Sequence, residues 1–286
     1  MTPLVELVDR FEVARPRLMS LAHRMLGSRH DAEDAVQTAW TRVQAAHPAD
    51  VTNFDAWLTT VTARLCLDQL RARERRGELP LLSDDVPDDR LGADEAFLRR
   101  EGVSRALLVV LGELSPRQRV AYVLHDLFAV PFEEVSAVLA VHPTAAKKLA
   151  SRARTRLRDA RPGEPAPGPE HARIVEAFLA AARGGDIARL TELLAPDVVR
   201  TVDARLLPAG VSAVTRGARA VAEETRFFVN RIATAAPIVV GGRPGAVIAP
   251  GGHPYALIGF TIDAGRIVSV EIMPYRTPPA TRGPRS

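Results

Sequence analysis

Hydrophobic positions at the start of the chain recur at helical spacing. Leu4, Leu7, Val8 and Phe11 share one face, and Leu18, Leu21, Ala22 and Met25 continue the pattern. This i, i+3, i+4, i+7 recurrence marks an amphipathic helix. Gly27 suits the helix end, since glycine takes a left-handed cap without steric cost. Asp31 suits the next cap, with Glu33 and Asp34 in a first turn where the helix dipole favours anions. A third helix is expected from Asn53, a good capping residue, to about Arg76, with Phe54, Trp57, Leu58, Val61, Leu65 and Leu70 as its apolar set. Residues 1–76 thus read as one all-helical domain.

The pattern breaks at 77–95, GELPLLSDDVPDDRLGADE, which reads as an acidic linker. Helical spacing returns over 96–160. Ser115-Pro116 is a start signal, Ser as cap and Pro at the first helical position. One helix is expected over Arg117–Leu127 and a second over Phe132–Leu139. The turn Ala140-Val141-His142 then leads to Pro143 and a third helix with a buried stripe of Leu149, Ala153 and Leu157. A Pro-rich linker, RPGEPAPGP at 161–169, marks a boundary, because such runs are extended and semi-rigid. Beyond it the period changes. A helix over 170–183 ends at Gly184-Gly185-Asp186 and a short helix follows. Strand-like runs come next at Val198–Val202, Ile238–Val240, Ala246–Ile248, Tyr255–Ile262 and Ile267–Ile272, the last two joined by a turn at Asp263-Ala264-Gly265-Arg266. Residues 170–276 are therefore an α+β domain behind a helical front, and 277–286 a loose tail.

Composition adds less than this pattern. The 286 residues are 47% hydrophobic with net charge +4, a weak hint of nucleic acid. One cysteine, Cys66, excludes an intrachain disulfide and fits a reducing cytoplasm. The start, MTPLVELVDRFEVARPRL, lacks the pattern of a signal peptide, and no apolar run approaches a membrane span. No membrane role is expected.

Charge placement says more than net charge. The helix after Pro143 carries Lys147, Lys148, Arg152, Arg154, Arg156 and Arg158 opposite its apolar stripe. A cationic helix behind a short helix and a tight turn is how a recognition helix enters a major groove. An exposed basic helix on a bundle is the plain alternative. The stretch DAEDAVQ, Asp31–Gln37, forms an acidic face whose plain reading is helix capping. NFDAWL, Asn53–Leu58, precedes Arg64, Arg71, Arg73, Arg75 and Arg76. Aromatics beside a basic helix can stack on unpaired bases, although on the residues alone Phe54 and Trp57 read sooner as core.

Together these motifs, in this order and spacing, resemble the extracytoplasmic-function sigma factors over about residues 8–160. The resemblance implies a σ2 domain at 1–76 and a σ4 helix-turn-helix domain at 96–160. Asp31, Glu33, Asp34 and Gln37 would grip the clamp helices of the β′ subunit of core RNA polymerase. Asn53, Phe54, Trp57, Arg64 and Arg71 would hold the opened minus-ten strand. Thr144, Lys147, Lys148, Ser151, Arg152 and Arg154 would read the minus-thirty-five element of promoter DNA, with σ4 touching the β flap. In such a linker Asp84, Asp85, Asp88, Asp89, Asp94 and Glu95 could mimic a phosphate chain, or simply keep the linker soluble.

Residues 170–276 resemble the SnoaL-like branch of the NTF2-like superfamily, carried by IVEAFLAAARGGDIARLTELLAPDVV and GRIVSVEIMPY. That fold is a curved sheet over helices enclosing an apolar pocket, which leaves room for a small ligand. Sigma factors with this appendage use it as an intramolecular regulator. Their WLPEP-, DGGGK- and NPDKL-like motifs are replaced here by ELPLLSDD, Asp203-Ala-Arg-Leu and Met273-Pro-Tyr-Arg, which implies different interdomain contacts. As an enzyme this domain would need an acid/base pair, for which Asp203, His253 and Tyr255 are the candidates. A pocket without chemistry is the better reading, so no enzyme, cofactor or metal is expected: His23, His30, His47, His125, His142 and His171 have no ligand spacing. Two other functions stay open, a stand-alone helix-turn-helix regulator with a ligand-sensing domain, and an NTF2-like enzyme fused to a DNA-binding module.

Overall fold

The structure, a computed structural model, describes residues 4–46, 53–76, 78, 87–160, 169–207, 210–240 and 243–275. The chain divides into two compact units, one ending at Asp159 and one built from Ala160 onward. None of the described helices is long and apolar enough to cross a membrane.

The first unit is all α. Helix α1 (Leu4–Leu26) ends at Gly27, which takes φ 79° and donates its N–H to the carbonyl of His23 at 2.8 Å. Helix α2 (Arg29–Ala46) starts two residues before the expected cap. Ser28 Oγ, not Asp31, accepts the N–H at the third helical position, and that N–H belongs to Asp31 itself. Helix α3 (Phe54–Arg76) is capped as expected, with Asn53 Oδ1 accepting from Ala56 N at 3.1 Å. The apolar stripes meet in a common core around Leu21, Met25, Val36, Val43, Leu58 and Leu67. Each such side chain contributes ~1.5–3 kcal/mol by leaving water.

The acidic linker is shorter than its composition suggested. Helix α4 (Asp88–Glu101) occupies its second half. Asp88 and Asp89, read as linker acids, lie in the first turn after Pro87, where the dipole stabilises them. Asp94 is only 3% exposed and its carboxylate accepts the backbone N–H of Arg29 at 2.7 Å. Glu95 pairs with Arg105. Asp94 and Glu95 therefore hold the fold together instead of mimicking a phosphate chain. Asp84 and Asp85 lie outside the described residues.

Helix α5 (Arg105–Gly112) precedes α6 (Pro116–Tyr122), which opens with a full capping box between Ser115 and Gln118 and continues as a π-helical turn over Val123–Leu127. Helix α7 (Phe132–Leu139) ends at Ala140, held at φ 51°, and α8 (Pro143–Ala160) follows. The sequence placed the helices at 117–127, at 132–139 and after Pro143, whereas α5 was read only as part of a helical stretch over 96–160.

The second unit is α+β. Helix α9 (Pro169–Gly184) breaks at Gly185 (φ 66°), and Asp186 caps α10 (Ile187–Leu193) by accepting from Arg189 N at 2.9 Å. Among the described residues six strands follow: β1 (Leu194–Val202), β2 (Val214–Arg216), β3 (Ala235–Val240), β4 (Arg243–Ile248), β5 (Ala256–Asp263) and β6 (Arg266–Pro274). They form one sheet in the order β2-β1-β6-β5-β4-β3, antiparallel except for the parallel pair β1 and β6. Asp263 faces Arg266 across a tight turn with Ala264 at φ 45° and Gly265 at φ 75°, the doubly left-handed geometry of a primed hairpin turn. Between β2 and β3 lie α11 (Ala218–Thr225) and α12 (Val229–Ile232). No element was read from that stretch: β2 is three residues long and α11 has no capping side chain. The α9 face packs on the sheet, Phe178 meeting Phe260 edge-on at 5.2 Å between ring centres, a geometry that adds to area burial.

Candidate polymerase and nucleic-acid interface

The acidic motif on α2 splits into two groups. Asp31 is tied inward: its Oδ2 takes an ion pair from Arg73 on α3 at 2.7 Å, and Arg73 also donates to the carbonyl of Leu26. Glu33 pairs with Arg29, and Asp34 with His30, both one turn along the same helix. Asp34 and Gln37 are exposed, and Thr38 and Thr41 extend the same polar edge. Ala32, Ala35, Val36 and Ala39 bury the opposite side. The motif's available face is thus Asp34 and Gln37, flanked by Glu33.

The minus-ten candidates are likewise divided. Asn53 is exposed and Trp57 half-buried. Phe54 departs from the expectation of a strand contact: it is 1% exposed, beneath the Arg10 guanidinium at 4.5 Å and 6.2 Å from the Trp57 ring. Its apolar area has found partners from α1, which spacing alone did not reveal. Arg71 is half-buried beside Asp68. Arg64 reaches across to the helix-turn-helix, donating to the carbonyl of Ala137 on α7 at 3.0 Å.

That contact is one of several joining the two halves of the first unit. Arg17 and Arg24 on α1 lie 5.8 and 5.5 Å from the ring of Phe128. Arg119 on α6 is buried and donates to the carbonyls of Met25 at 2.9 Å and Gly112 at 2.8 Å. Burial pushes the Arg119 guanidinium down to about 10, since desolvation disfavours the charged form, with the nearby Arg73 adding to it. Nothing in the local sequence distinguished Arg119 from the other arginines.

The recognition-helix candidates lie on the open side of α8. Ala146, Ala150, Ala153 and Leu157 are buried. Thr144, Lys147, Lys148, Ser151, Arg152 and Arg154 are all exposed on the other side. Arg154 is held by Asp126 at 2.6 Å, Thr144 Oγ1 lies 2.9 Å from His142 Nδ1, and Lys147 lies 5.7 Å from the Phe132 ring centre. Lys148 and Arg152 pair with no acid among the described residues. A ridge of unpaired cations beside a hydroxyl is suited to phosphates and base edges.

The second unit encloses a cavity of about 50 Å³. Tyr255 lines it, whereas Asp203 and His253 do not. Asp203 instead caps the short turn after β1 and pairs with Arg205 at 2.7 Å, and His253 is buried in the loop after β4. The three candidates for acid/base chemistry do not converge. The charged groups at the cavity are Arg200, Glu224 and Arg231, none of which the sequence singled out.

A helical bundle joined to a helix-turn-helix with a cationic face is the architecture of a DNA-binding transcription protein. Residues 11–76 match the sigma-70 region 2 family and residues 104–157 match sigma-70 region 4. The chain is 39% identical over 255 residues to the ECF RNA polymerase sigma factor SigJ of Mycobacterium tuberculosis, covering 84% of this chain and 78% of that one. It is 30% identical over 273 residues to a probable ECF RNA polymerase sigma factor, SigI, of the same organism, covering 91% of this chain and 90% of the other. Among solved structures, that of M. tuberculosis SigJ aligns over 93% of this chain and 96% of its own, at 33% identity and a TM-score of 0.47. The chain belongs to the extracytoplasmic-function RNA polymerase sigma factors, which direct transcription initiation. Its partners are accordingly core RNA polymerase and promoter DNA.

Proposed function

We propose that this sigma factor grips the β′ clamp helices through Asp34 and Gln37, flanked by Glu33, and reads the minus-thirty-five element through Lys147, Lys148, Ser151 and Arg152, σ4 also touching the β flap. The observation that carries this reading is the contrast on α8, where Lys148 and Arg152 have no acidic partner among the described residues while Arg154 is neutralised by Asp126. Asn53, Trp57, Arg64 and Arg71 hold the minus-ten strand, with Phe54 acting from beneath as the floor under Trp57. Arg64 is spent on Ala137 in the present arrangement. The first unit therefore opens when it binds polymerase, exchanging that bond for contacts to nucleic acid. A ligand shifts such an equilibrium only through contacts that differ between the two states, and Arg64 supplies one.

The α+β unit acts in this reading as an intramolecular regulator and not as an enzyme, which agrees with the separation of Asp203, His253 and Tyr255. The protein works in the cytoplasm, where its polymerase is. Run-off transcription with purified core enzyme tests the regulatory part, comparing the full chain with a truncation after about Arg161. Altered yield or promoter preference with intact polymerase binding is expected. Equal yield and equal preference would remove the regulatory role.

A further inference from the structure

The cavity in the α+β unit is lined by none of the candidate promoter-reading residues, and its wall carries an uncompensated charge. Its apolar lining comes from α9, α11, β5 and the turn after α11, through Phe178, Val221, Ile258 and Phe228. Three charged side chains reach it. Arg200 is fully engaged: it donates to the carbonyl of Ser212 at 3.1 Å and to Thr215 Oγ1 at 2.5 Å, and it pairs with Glu224. Glu224 cancels that charge and also accepts from Thr215 Oγ1 at 2.6 Å. Arg231 differs. It donates once, to the carbonyl of Leu206 at 2.9 Å, and its guanidinium carbon lies 5.0 Å from the Tyr255 ring centre. Among the described residues no carboxylate pairs with it.

We propose that this cavity binds a small monocarboxylic acid with an apolar body, its carboxylate on Arg231. Two cations and one anion leave the lining with a single positive charge, which one carboxylate cancels. A guanidinium has five N–H donors and Arg231 uses one. Its planar fork can give a carboxylate two parallel bonds. A neutral apolar ligand closing the mouth would strip water from an unpaired cation, which is costly. An amine would add a second positive charge. A water occupies ~10–15 Å³ on this measure of volume, so a cavity of about 50 Å³ takes only a slim body, such as a single ring or a short alkyl chain.

The inference stands apart from the promoter reading, because its test contains neither polymerase nor DNA. Benzoate and hexanoate are titrated calorimetrically into the full-length protein beside benzyl alcohol and hexanol. At least one acid is expected to bind tenfold or more tighter than its alcohol, a difference of ~1.4 kcal/mol. Arg231→Met should erase that preference, and Arg231→Lys should keep part of it. A thermal scan of each apo variant checks folding. If Arg231→Met does not fold, the wild-type acid-to-alcohol ratio and the Lys variant decide. Absence of acid binding up to millimolar concentration overturns the proposal. So does equal binding of acid and alcohol, or a preference that survives in a folded Arg231→Met.

Discussion

Asp31 and Asp34 lie three residues apart on α2 in one acidic motif, yet their surroundings predict opposite effects of substitution. Asp31→Asn removes an ion pair to Arg73 whose side chains are 21% and 23% exposed. Two charges ~4 Å apart attract by ~4 kcal/mol at an effective dielectric of 20, and desolvation of both groups returns much of that. Arg73 keeps its bond to the Leu26 carbonyl and can still donate to the neutral amide oxygen of the replacement side chain. The net expected loss is ~1–2 kcal/mol, near the lower end of the ~1.5–3 kcal/mol that a hydrogen bond to a charged group contributes. Asp34→Arg meets a 3.6 Å contact to His30 between side chains about half exposed, which contributes almost nothing to stability. It also reverses a charge on the open face. Urea unfolding followed by circular dichroism should shift for Asp31→Asn and stay within ~0.5 kcal/mol for Asp34→Arg. Co-purification with core polymerase should show the reverse: Asp34→Arg weakened, Asp31→Asn retained in proportion to folded protein. A double-mutant cycle with Arg73→Gln should return a coupling of ~1 kcal/mol. The reasoning fails if Asp31→Asn keeps its stability and loses polymerase, or if Asp34→Arg unfolds the protein.

Arg152→Ala and Lys148→Ala should each weaken promoter binding. A phosphate contact lowers the slope of log affinity against log salt by about one, and a base contact costs ~1–3 kcal/mol at one position; unchanged footprints on a cognate promoter would exclude this helix. Ala140→Gly should raise the unfolding midpoint of the first unit, since a left-handed alanine costs ~1–2 kcal/mol and glycine entropy returns ~0.5–1; a lower midpoint contradicts this. Cys66 is buried, and desolvation pushes its thiol from 9.0 up to about 12. Ellman's reagent should therefore label it only after unfolding. Because the folded value is the raised one, the stabilisation is complete below pH 9.0 and lost as pH rises toward about 12. Wild type should thus lose stability relative to Cys66→Ala across that window, and parallel curves would refute the assignment.

Most elements were legible because their signals are local. Apolar spacing marks α1, α3 and α7, and Asn53, Ser115 and Asp186 cap their helices through bonds that span three residues. The cationic side of α8 follows from helical geometry once Ala153 and Leu157 are buried. Spacing says which residues share a face, and it cannot say what packs on that face from elsewhere in the chain. Thus spacing put Phe54 in the apolar set of α3 but could not show that α1 covers it. Asp31 is committed to an arginine 42 residues away, and Asp94, read as linker, to a backbone N–H 65 residues away. Composition misread 88–95 because acids and a proline serve a helix start as well as a loop. Arg200 sits on a strand that spacing revealed, Glu224 and Arg231 lie in a stretch with weak periodicity, and only closure of the sheet over α9 and α11 brings them to one cavity. The sequence alone determined the local elements and the faces they offer. The tertiary structure decided which charges were neutralised and which were left facing solvent or the cavity, because pairing energies depend on distances that only the folded chain defines.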